Sequence, residues 1–315
     1  MTAEESSGAA IETVPAALAG ERLDRIVALM IDVSRSVATA VIEAGGVDVD
    51  GVAATSGKVR LDEGRLGAVD PGKIPADEPP AADPSVEFEV VHDDDAIVVV
   101  DKPAGLVVHP GAGNESGTLV NGLVALYPDI VGVGEEIRPG IVHRLDAGSS
   151  GLLVVARTQA AADRLIEQFA DHSAQRAYLA LVWGHPSAPH GVIDAPIGRS
   201  RRDPLKMAVV ADGRWARTEY RLLERYDTPT DLSLLECRLE TGRTHQIRVH
   251  LGSIGHPLVG DPTYGQRRPR LGVERPFLHA AELSFEHPST GEAVTFRSEL
   301  AADLAARLAT LRPVP

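Results

Sequence analysis

Four polar segments of this 315-residue chain carry the residue types that chemistry on a polar substrate needs. They are DKPAGLVVHPGAG (101–113), GIVHRLDAGSSGLLVVART (140–158), QRAYLALVWG (175–184) and LETGRTHQIRVHLGSIGHPLVGDPTYG (239–265). In the second, His143, Arg144 and Asp146 precede a turn rich in glycine and serine that leads into an apolar run. Reactive side chains on a loop that a rigid strand holds are the usual arrangement of a functional site.

Several common reaction types lack their motifs. A serine hydrolase needs GxSxG, whereas GSSGL has Leu152 at the last glycine position. His245 and His250 are five residues apart without the glutamate of HExxH, so we expect no metal site. No GxGxxG follows a predicted strand and no GxxxxGK[ST] occurs, so nothing indicates a nucleotide cofactor.

Aspartate, arginine and tyrosine remain as the reactive set. A carboxylate is ionised at neutral pH, and an adjacent arginine keeps it ionised even when it is buried. Such a carboxylate can act as a nucleophile or base on an electrophilic carbon of a sugar or a nucleobase. A nearby tyrosine supplies a phenol for proton transfer or a flat face for stacking. Arginines and the backbone amides of glycine-rich turns can hold phosphates.

Strands outnumber helices in the part of the chain that must position these residues. VEFEVVHDDDAIVVVDKP predicts two strands with an acidic turn, and GLLVVART predicts a buried strand. QAAADRLIEQFADH predicts an amphipathic helix with Ala162, Leu165, Ile166 and Phe169 on its apolar face. Further helices are predicted at TLVNGLVALYP and SELAADLAARLATL, and strands around AYLALVWG, TEYRLLERY, LSLLECRLE, LHAAELSFE and AVTFR. This order favours an α+β fold with a largely antiparallel mixed sheet.

A proline-rich segment, PGKIPADEPPAADPS, divides the chain. We predict a linker over 71–85, because proline can hold neither a helix interior nor a sheet ladder. Before it, LDRIVALMI and SRSVATAVIEAGG predict two short helices, the second capped by Ser34, and a short β segment follows. The predicted organisation is a disordered tail (1–16), a small αβ module (17–70), the linker and a larger domain (86–315).

Charge is distributed unevenly along the chain, whose net charge is −14. Residues 1–95 hold 7 basic and 20 acidic side chains, whereas residues 199–275 hold 15 and 10. The second region could present a basic face to nucleic acid, and a solvated face of ion pairs is an equal alternative. The candidate phosphate contacts are Arg199, Arg201, Arg202, Lys206, Arg214, Arg217, Arg267, Arg268 and Arg270.

The single cysteine and the N-terminal sequence indicate the compartment. Cys237 alone can form neither an internal disulfide nor a thiolate zinc site, and we expect it to be a small buried residue. The acidic N-terminus does not resemble a signal peptide, and no stretch approaches the roughly 18 apolar residues of a membrane span. We expect a cytoplasmic monomer without a membrane partner.

The four segments together resemble the RluA family of pseudouridine synthases. HRLD followed by SGLLVVA, then RAYLALVWG, then TGRTHQIRVH continuing to GHPLVGDPTYG occur in the family's order. The N-terminal region resembles the S-four-like RNA-binding domain of RluD-type members. The resemblance implies a pseudouridine synthase catalytic domain that isomerises uridine within structured RNA, without cofactor or metal. Large-subunit ribosomal RNA or its assembly intermediate is the implied substrate.

The resemblance also implies roles for individual residues. Asp146 matches the catalytic carboxylate that attacks the nucleoside at the ribose anomeric carbon. Tyr178 matches the active-site tyrosine that packs on the uracil, and Arg248 matches the arginine that pairs with the aspartate. Arg144 matches an arginine that enters the base stack when the target nucleotide flips out, and Ile247 an apolar residue near the uracil.

His143, Arg243 and Lys102 are further substrate-binding candidates from the same segments. The histidines His109, His143, His245 and His250 are expected to be structural hydrogen-bonding residues rather than catalysts. Two departures from the family are visible: Ser149 stands where threonine is usual, and the N-terminal module is acidic. Its small positive patch would consist of Arg22, Arg25, Arg35, Lys58 and Arg60.

Two other functions remain open at this stage. The same surface could belong to a non-enzymatic RNA-binding or ribosome-assembly factor, although such a protein would not need Asp146, Tyr178 and Arg248 together. A hydrolase of nucleosides or phosphoesters would lack its motif or its metal.

Overall fold

The computed structural model describes residues 10–14, 16–31, 33, 35–73, 79–111, 114, 116–201, 203, 206–265 and 268–314. The chain forms two compact units, Met1–Glu78 and Pro79–Pro315. The boundary between them falls inside the segment 71–85, where the described residues contain one short 3-10 turn, Pro71–Lys73.

The N-terminal unit packs two short helices on a small antiparallel sheet. The helices are α1 (Leu23–Met30) and α2 (Arg35–Glu43), and a 3-10 turn covers Ala16–Leu18. The described strands are β1 (Ala10–Thr13), β2 (Val47–Val49), β3 (Val52–Ala53) and β4 (Leu66–Val69), in the order β1-β4-β2-β3. Leu23, Ile26, Val41 and Ile42 form its core.

Strand β1 lies within the segment 1–16, which we expected to be a disordered tail. It pairs with β4 from Ala10 opposite Val69 to Thr13 opposite Leu66, and Val14 is buried behind it. The prediction of disorder up to residue 16 is thereby corrected, because β4 offers an edge that this strand completes. The proposed cap of α2, Ser34, lies outside the described residues.

The larger unit is built on a ten-stranded sheet in the described part of the chain. The order is β16-β12-β13-β8-β14-β7-β6-β5, with β9 on β12 and β15 on β14, and only β7 and β14 run parallel. The strands are β5 (Glu89–Asp93), β6 (Ile97–Lys102), β7 (Ser150–Ala156), β8 (Gln175–Trp183), β9 (His190–Asp194), β12 (Arg217–Thr228), β13 (Leu232–Leu239), β14 (Leu278–Glu286), β15 (Ala293–Arg297) and β16 (Arg312–Pro313). A separate hairpin pairs β10 (Ile197–Arg199) with β11 (Met207–Val209).

Helices cover both faces of the central strands. They are α3 (Leu119–Leu126), α4 (Gln159–Ala170), α5 (Gln246–Ser253) and α6 (Ala302–Leu308), with a 3-10 turn at Pro128–Ile130. Val98 and Leu153 pack in one core with α3 and α5, whereas Val99 and Leu152 pack in another with α4. Burial on both faces explains why β6 and β7 are continuous apolar runs rather than alternating ones.

The predicted α+β fold with a largely antiparallel mixed sheet is confirmed. One helix face was predicted wrongly, since Ile166 of α4 is 47% exposed. Its place toward the sheet is taken by Gln168, whose side chain exchanges two hydrogen bonds with the backbone of Glu286. Among the described residues, no helix has both the length and the apolar character that crossing a membrane requires.

Candidate active site

Asp146 lies on the loop that leads into β7, and this loop is held at its backbone. The carbonyl of Ala147 accepts hydrogen bonds from Gly105 N–H at 2.7 Å and from Lys102 Nζ at 3.3 Å. Gly151 follows with φ +111°, and a Cβ there would lie 2.3 Å from the carbonyl oxygen of Ala280. The close approach of β7 to β14 therefore needs glycine, and it fixes where the Asp146 loop begins.

Arg248 projects from α5 and joins two aspartates. Its Nη1 lies 3.1 Å from Asp146 Oδ2, while Nε and Nη2 donate to the two carboxylate oxygens of Asp261 at 2.7 and 3.0 Å. Asp261 also accepts from the backbone N–H groups of Thr263 and Tyr264. These contacts hold the pKa of Asp261 below its ordinary value against the opposing effect of burial. Arg248 is therefore a fixed cation beside Asp146.

Helix α5 is fastened to the sheet by polar side chains. Gln246 accepts at Oε1 from Thr241 Oγ1 and Arg243 N–H, and its Nε2 donates to the Arg217 carbonyl and Thr218 Oγ1. His250 bonds Thr218 Oγ1 and the Ala195 carbonyl. The segment that carries Arg248 and Ile247 is thus a positioned scaffold rather than a mobile loop.

Tyr178 stands in the centre of the sheet, on β8, opposite Cys237 of β13 and Ala280 of β14. It is 5% exposed, and it belongs to the same core as Ile247. Burial raises the pKa of its phenol, an effect that Arg176 opposes and Asp146 reinforces. The phenol consequently keeps its proton at neutral pH and can donate it.

His245 is the histidine nearest to the carboxylate. Its Nε2 lies 4.0 Å from Asp146 Oδ2, and its Nδ1 lies 2.9 Å from the hydroxyl of Tyr264. That hydroxyl accepts from Met207 N–H at 3.0 Å, which leaves its own proton for Nδ1. Burial lowers the pKa of His245, so the neutral ring presents an Nε2–H group toward Asp146.

These residues surround one cleft. Arg144, Arg243 and Ile247 line it, as expected from the sequence, together with Asp146, Tyr178 and Arg248. Arg176 lines it as well, on the same face of β8 as Tyr178. Arg176 as a whole residue is 8% exposed, its Nε has no hydrogen-bond partner, and among the described residues no carboxylate pairs with it. The cleft therefore presents a buried cation with bonding capacity to spare.

Lys102 and His143, the other two substrate-binding candidates from the sequence, do not line the cleft. The Lys102 ammonium is fully buried and donates to the carbonyls of Pro103, Leu106 and Ala147. Burial and the charge of Arg275 lower its pKa to about 7. His143 accepts from Val154 N–H and packs on Phe169, and burial lowers its pKa to about 3. Both side chains therefore support the loop around Asp146 from behind.

Many of the candidate phosphate contacts are ion-paired. Arg201 pairs with Asp212, Lys206 with Asp203, Arg217 with Glu219 and Glu240, and Arg270 with Glu274. Arg268 lies over the ring of Trp183, whereas Arg202 and Arg267 lie outside the described residues. The ion-pair alternative thus accounts for much of this basic region.

The patch expected on the N-terminal unit is also partly neutralised. Arg22 and Arg35 both bond Asp24, which is buried, and Arg25 pairs with Glu21. Arg60 donates to the Gly20 carbonyl. Three of the five basic residues are therefore bound to acids of the same unit.

A second cluster of titratable groups, His92, Asp94 and His287, does not line the cleft. Both imidazoles place Nε2 on Asp94 Oδ2, at 2.7 and 2.9 Å, and the ligand atoms lie within 4.8 Å of one another. His287 Nδ1 accepts from the N–H groups of Ser289 and Thr290, so its Nε2 carries the proton. The three side chains therefore form a hydrogen-bond network that connects β5 with the end of β14.

Three residues of the site were not singled out from the sequence, namely Asp261, Tyr264 and Arg176. All three lie within the four polar segments, and GDPTYG holds two of them. The available signal was that GDPTYG supplies a carboxylate and a phenol without being an apolar core segment.

The chain is similar to known proteins along most of its length. Residues 96–253 match the family model described as RNA pseudouridylate synthase, and residues 21–66 match the S4 domain. An uncharacterized RNA pseudouridine synthase of Chloroflexus aurantiacus is 49% identical over 304 residues, which cover 93% of this chain and 91% of that one. A ribosomal large subunit pseudouridine synthase D of Nitrosomonas europaea is 45% identical over 96% of this chain and 88% of that one.

A solved structure is similar as well. The human RNA pseudouridylate synthase domain containing 1 is 28% identical to this chain, with a TM-score of 0.57. The match covers 73% of this chain and 89% of the human one.

Proposed function

This chain belongs to the RNA pseudouridylate synthase family, and from that premise we propose that it converts specific uridines of large-subunit ribosomal RNA to pseudouridine. The observation that carries the proposal is the contact of Asp146 with Arg248 in a cleft that Tyr178 shares. Three relatives that are named ribosomal large subunit pseudouridine synthase D support large-subunit ribosomal RNA as the substrate.

The reaction rearranges one nucleotide without a co-reactant. The bond from uracil N1 to the ribose anomeric carbon breaks, and a bond from C5 to the same carbon forms. The proton on C5 is lost and N1 gains one, so the product has the same atoms as the substrate. No metal or cofactor is needed for this balance.

Asp146 is the proposed nucleophile. Its carboxylate attacks the anomeric carbon, the uracil leaves with the electron pair, and C5 of the turned base later displaces the carboxylate. Arg248 holds the charged carboxylate in place, and its own position is fixed by Asp261. Tyr178 and Ile247 offer the apolar surface against which the base turns, and the protonated phenol is a proton donor.

The target uridine must leave its helix to reach this cleft, since the glycosidic bond of a stacked nucleotide is out of reach of a side chain. We propose that Arg144, which is exposed at the rim, fills the space that the uridine leaves. Arg243 is proposed to hold the RNA backbone there. The match of residues 21–66 to the S4 domain supports an additional RNA contact by the N-terminal unit.

We propose further that the protein acts as a monomer in the cytoplasm. In support, one copy of the chain is enough to bring Asp146, Tyr178 and Arg248 to one cleft, and the relatives named ribosomal large subunit pseudouridine synthase D are bacterial. Light scattering at micromolar concentration tests the first point, since a dimer mass would contradict it.

The test of function is carbodiimide-based primer-extension mapping of unmodified ribosomal RNA. Wild-type protein and Asp146→Asn are incubated with the transcript in parallel. New stops at a few uridines with the wild type alone would establish both the activity and the role of the carboxylate. Stops with both proteins would refute Asp146 as nucleophile. RNA binding without stops would favour an assembly factor instead.

A further inference from the structure

An exposed tryptophan lies beside Arg243, a residue that lines the cleft. Trp215 is 43% exposed, whereas the other tryptophan, Trp183, is 7% exposed. Single exposed apolar residues are common and need no explanation by themselves. Trp215 differs because its orientation is fixed. The indole Nε1–H donates to Asp194 at 2.9 Å, and the ring meets the His172 imidazole edge-on at 65°, with 5.6 Å between centroids.

The backbone of Trp215 is joined to the cleft. Its carbonyl accepts a hydrogen bond of 2.9 Å from Nε of Arg243, and Arg243 lines the cleft with Asp146 and Tyr178. A bound nucleotide that reaches Arg243 therefore comes near the residue whose indole is open to solvent. The surface is continuous with the candidate active site rather than a remote patch.

Unpaired positive charge accompanies the ring. Arg214 directly precedes Trp215, and burial together with the charge of Arg214 lowers the pKa of Arg243. Within the described residues, neither arginine forms an ion pair, in contrast to Arg201 and Arg217 nearby. Two neighbouring cations repel each other, and an anion bound by both relieves that repulsion.

We propose that Trp215, Arg214 and Arg243 form a subsite for one unpaired nucleotide next to the target uridine, with its base on the indole and its phosphate on the two arginines. The proposal rests on the proposed function, because that function brings RNA to the cleft. An aromatic face beside cations is the combination that binds single-stranded nucleic acid, since every base has a face for stacking. A small anion would use the cations without needing the fixed indole.

Intrinsic fluorescence tests the subsite directly. The variant Trp183→Phe leaves Trp215 as the sole tryptophan, and Asp146→Asn in the same chain prevents turnover. The probe is the transcript of large-subunit ribosomal RNA. We expect its binding to quench Trp215 emission and to protect the ring from acrylamide. Unchanged emission and acrylamide quenching, while filter binding shows the RNA bound, would overturn the proposal.

A second measurement does not depend on the Trp183 variant folding. Trp215→Ala should weaken RNA binding by about 5- to 100-fold, the effect of losing one stacked base. Trp215→Phe should restore most of the affinity, because phenylalanine keeps a stacking face. Leu126→Ala is the matched control, since Leu126 is 56% exposed but does not line the cleft. Equal affinity of Trp215→Ala and the control would overturn the proposal.

The phosphate part is tested by salt dependence. Arg214→Gln should reduce the slope of log Kd against log salt by about one, as expected when one phosphate contact is lost. An unchanged slope would overturn the role of Arg214. Primer-extension mapping with wild-type protein distinguishes a failure of the synthase proposal from a failure of the subsite proposal. Missing stops refute the synthase function, whereas normal stops with unaltered binding by Trp215→Ala refute the subsite alone.

Discussion

Arg248 grips Asp261 through a two-point contact, with Nε and Nη2 on opposite carboxylate oxygens at 2.7 and 3.0 Å. The Asp261 side chain is fully buried, and the paired guanidinium turns its Nη1 toward Asp146, 3.1 Å from Oδ2. The orientation of the cation that touches the proposed nucleophile is therefore decided by a residue 13 positions further along the chain.

We predict that Asp261→Asn lowers turnover by about 10- to 100-fold, because a small displacement of a positioned group has an effect of this order. RNA affinity should stay within twofold, since Asp261 does not line the cleft. Single-turnover kinetics and filter binding below the melting temperature separate these quantities. Equal losses in turnover and affinity would show that Asp261 contributes to binding instead.

Tyr178→Phe tests the phenol apart from the ring. It removes the protonated hydroxyl and keeps the apolar face, so we expect turnover to fall by about 100-fold or more, the usual contribution of a positioned acid or base. RNA affinity should not change. Tyr178→Leu should lower both quantities, because it also removes the flat ring. Full turnover by Tyr178→Phe would rule out proton transfer by the phenol.

Arg176→Met is predicted to stabilise the protein and impair the enzyme. Arg176 is a buried cation for which the described residues supply no carboxylate, so replacing it with an apolar chain of similar length removes a desolvation cost. A charge-assisted hydrogen bond to a substrate oxygen contributes about 1.5–3 kcal/mol, so kcat/KM should fall about 10- to 100-fold. Urea unfolding measures the expected gain in the free energy of unfolding, and steady-state kinetics measure the expected fall in kcat/KM. Lower stability with unchanged kinetics would make Arg176 purely structural.

Asp94 should make stability depend on pH. Burial alone would raise the pKa of this carboxyl, but hydrogen bonds from His92, from Ala96 and Ile97 N–H, and from His287 hold it well below its ordinary value. A carboxyl with a lowered folded-state pKa stabilises the fold fully above its unfolded pKa of about 3.9 and loses that contribution as the pH falls.

We therefore expect Asp94→Ala to lower the free energy of unfolding by about 1–3 kcal/mol at pH 5. The difference from wild type should shrink by roughly 1 kcal/mol on going to pH 3. Denaturant unfolding of both proteins at the two pH values measures it. Leu126→Ala, at an exposed apolar position of helix α3, serves as the control. A difference that is the same at both pH values would contradict the assigned pKa direction.

Strands β6 and β7 could be predicted because each is an apolar run bounded by turns, as burial on both faces requires. Helix α5 could not be predicted from the sequence. In HQIRVHL the apolar residues Ile247, Val249 and Leu251 alternate with polar ones, which is the pattern of a strand. The segment is nonetheless a helix, because Gln246, Arg248 and His250 are also buried and find partners on every side.

The other contacts of the site could not be predicted because they join residues that are far apart in sequence. Residue types and family resemblance pointed to Asp146 and Arg248, which are separated by 102 positions, but their spacing in sequence says nothing about a contact. His143 is only three residues from Asp146, yet it turns to Val154 and Phe169 on the far side of the loop. Proximity in sequence was therefore a poor guide to which polar side chain reaches the cleft.

The single thiol is the feature with the most practical consequence. Cys237 is fully buried in the sheet, and burial raises its pKa to about 12, so maleimides will not find a thiolate there. Cys237 therefore does not have to be removed before cysteines are introduced for site-directed labelling. One cysteine introduced at exposed Val52 of the N-terminal unit and another at exposed Leu126 of the larger unit would accept a donor and an acceptor dye. Energy transfer between the two dyes would then report whether the distance between them changes when RNA binds.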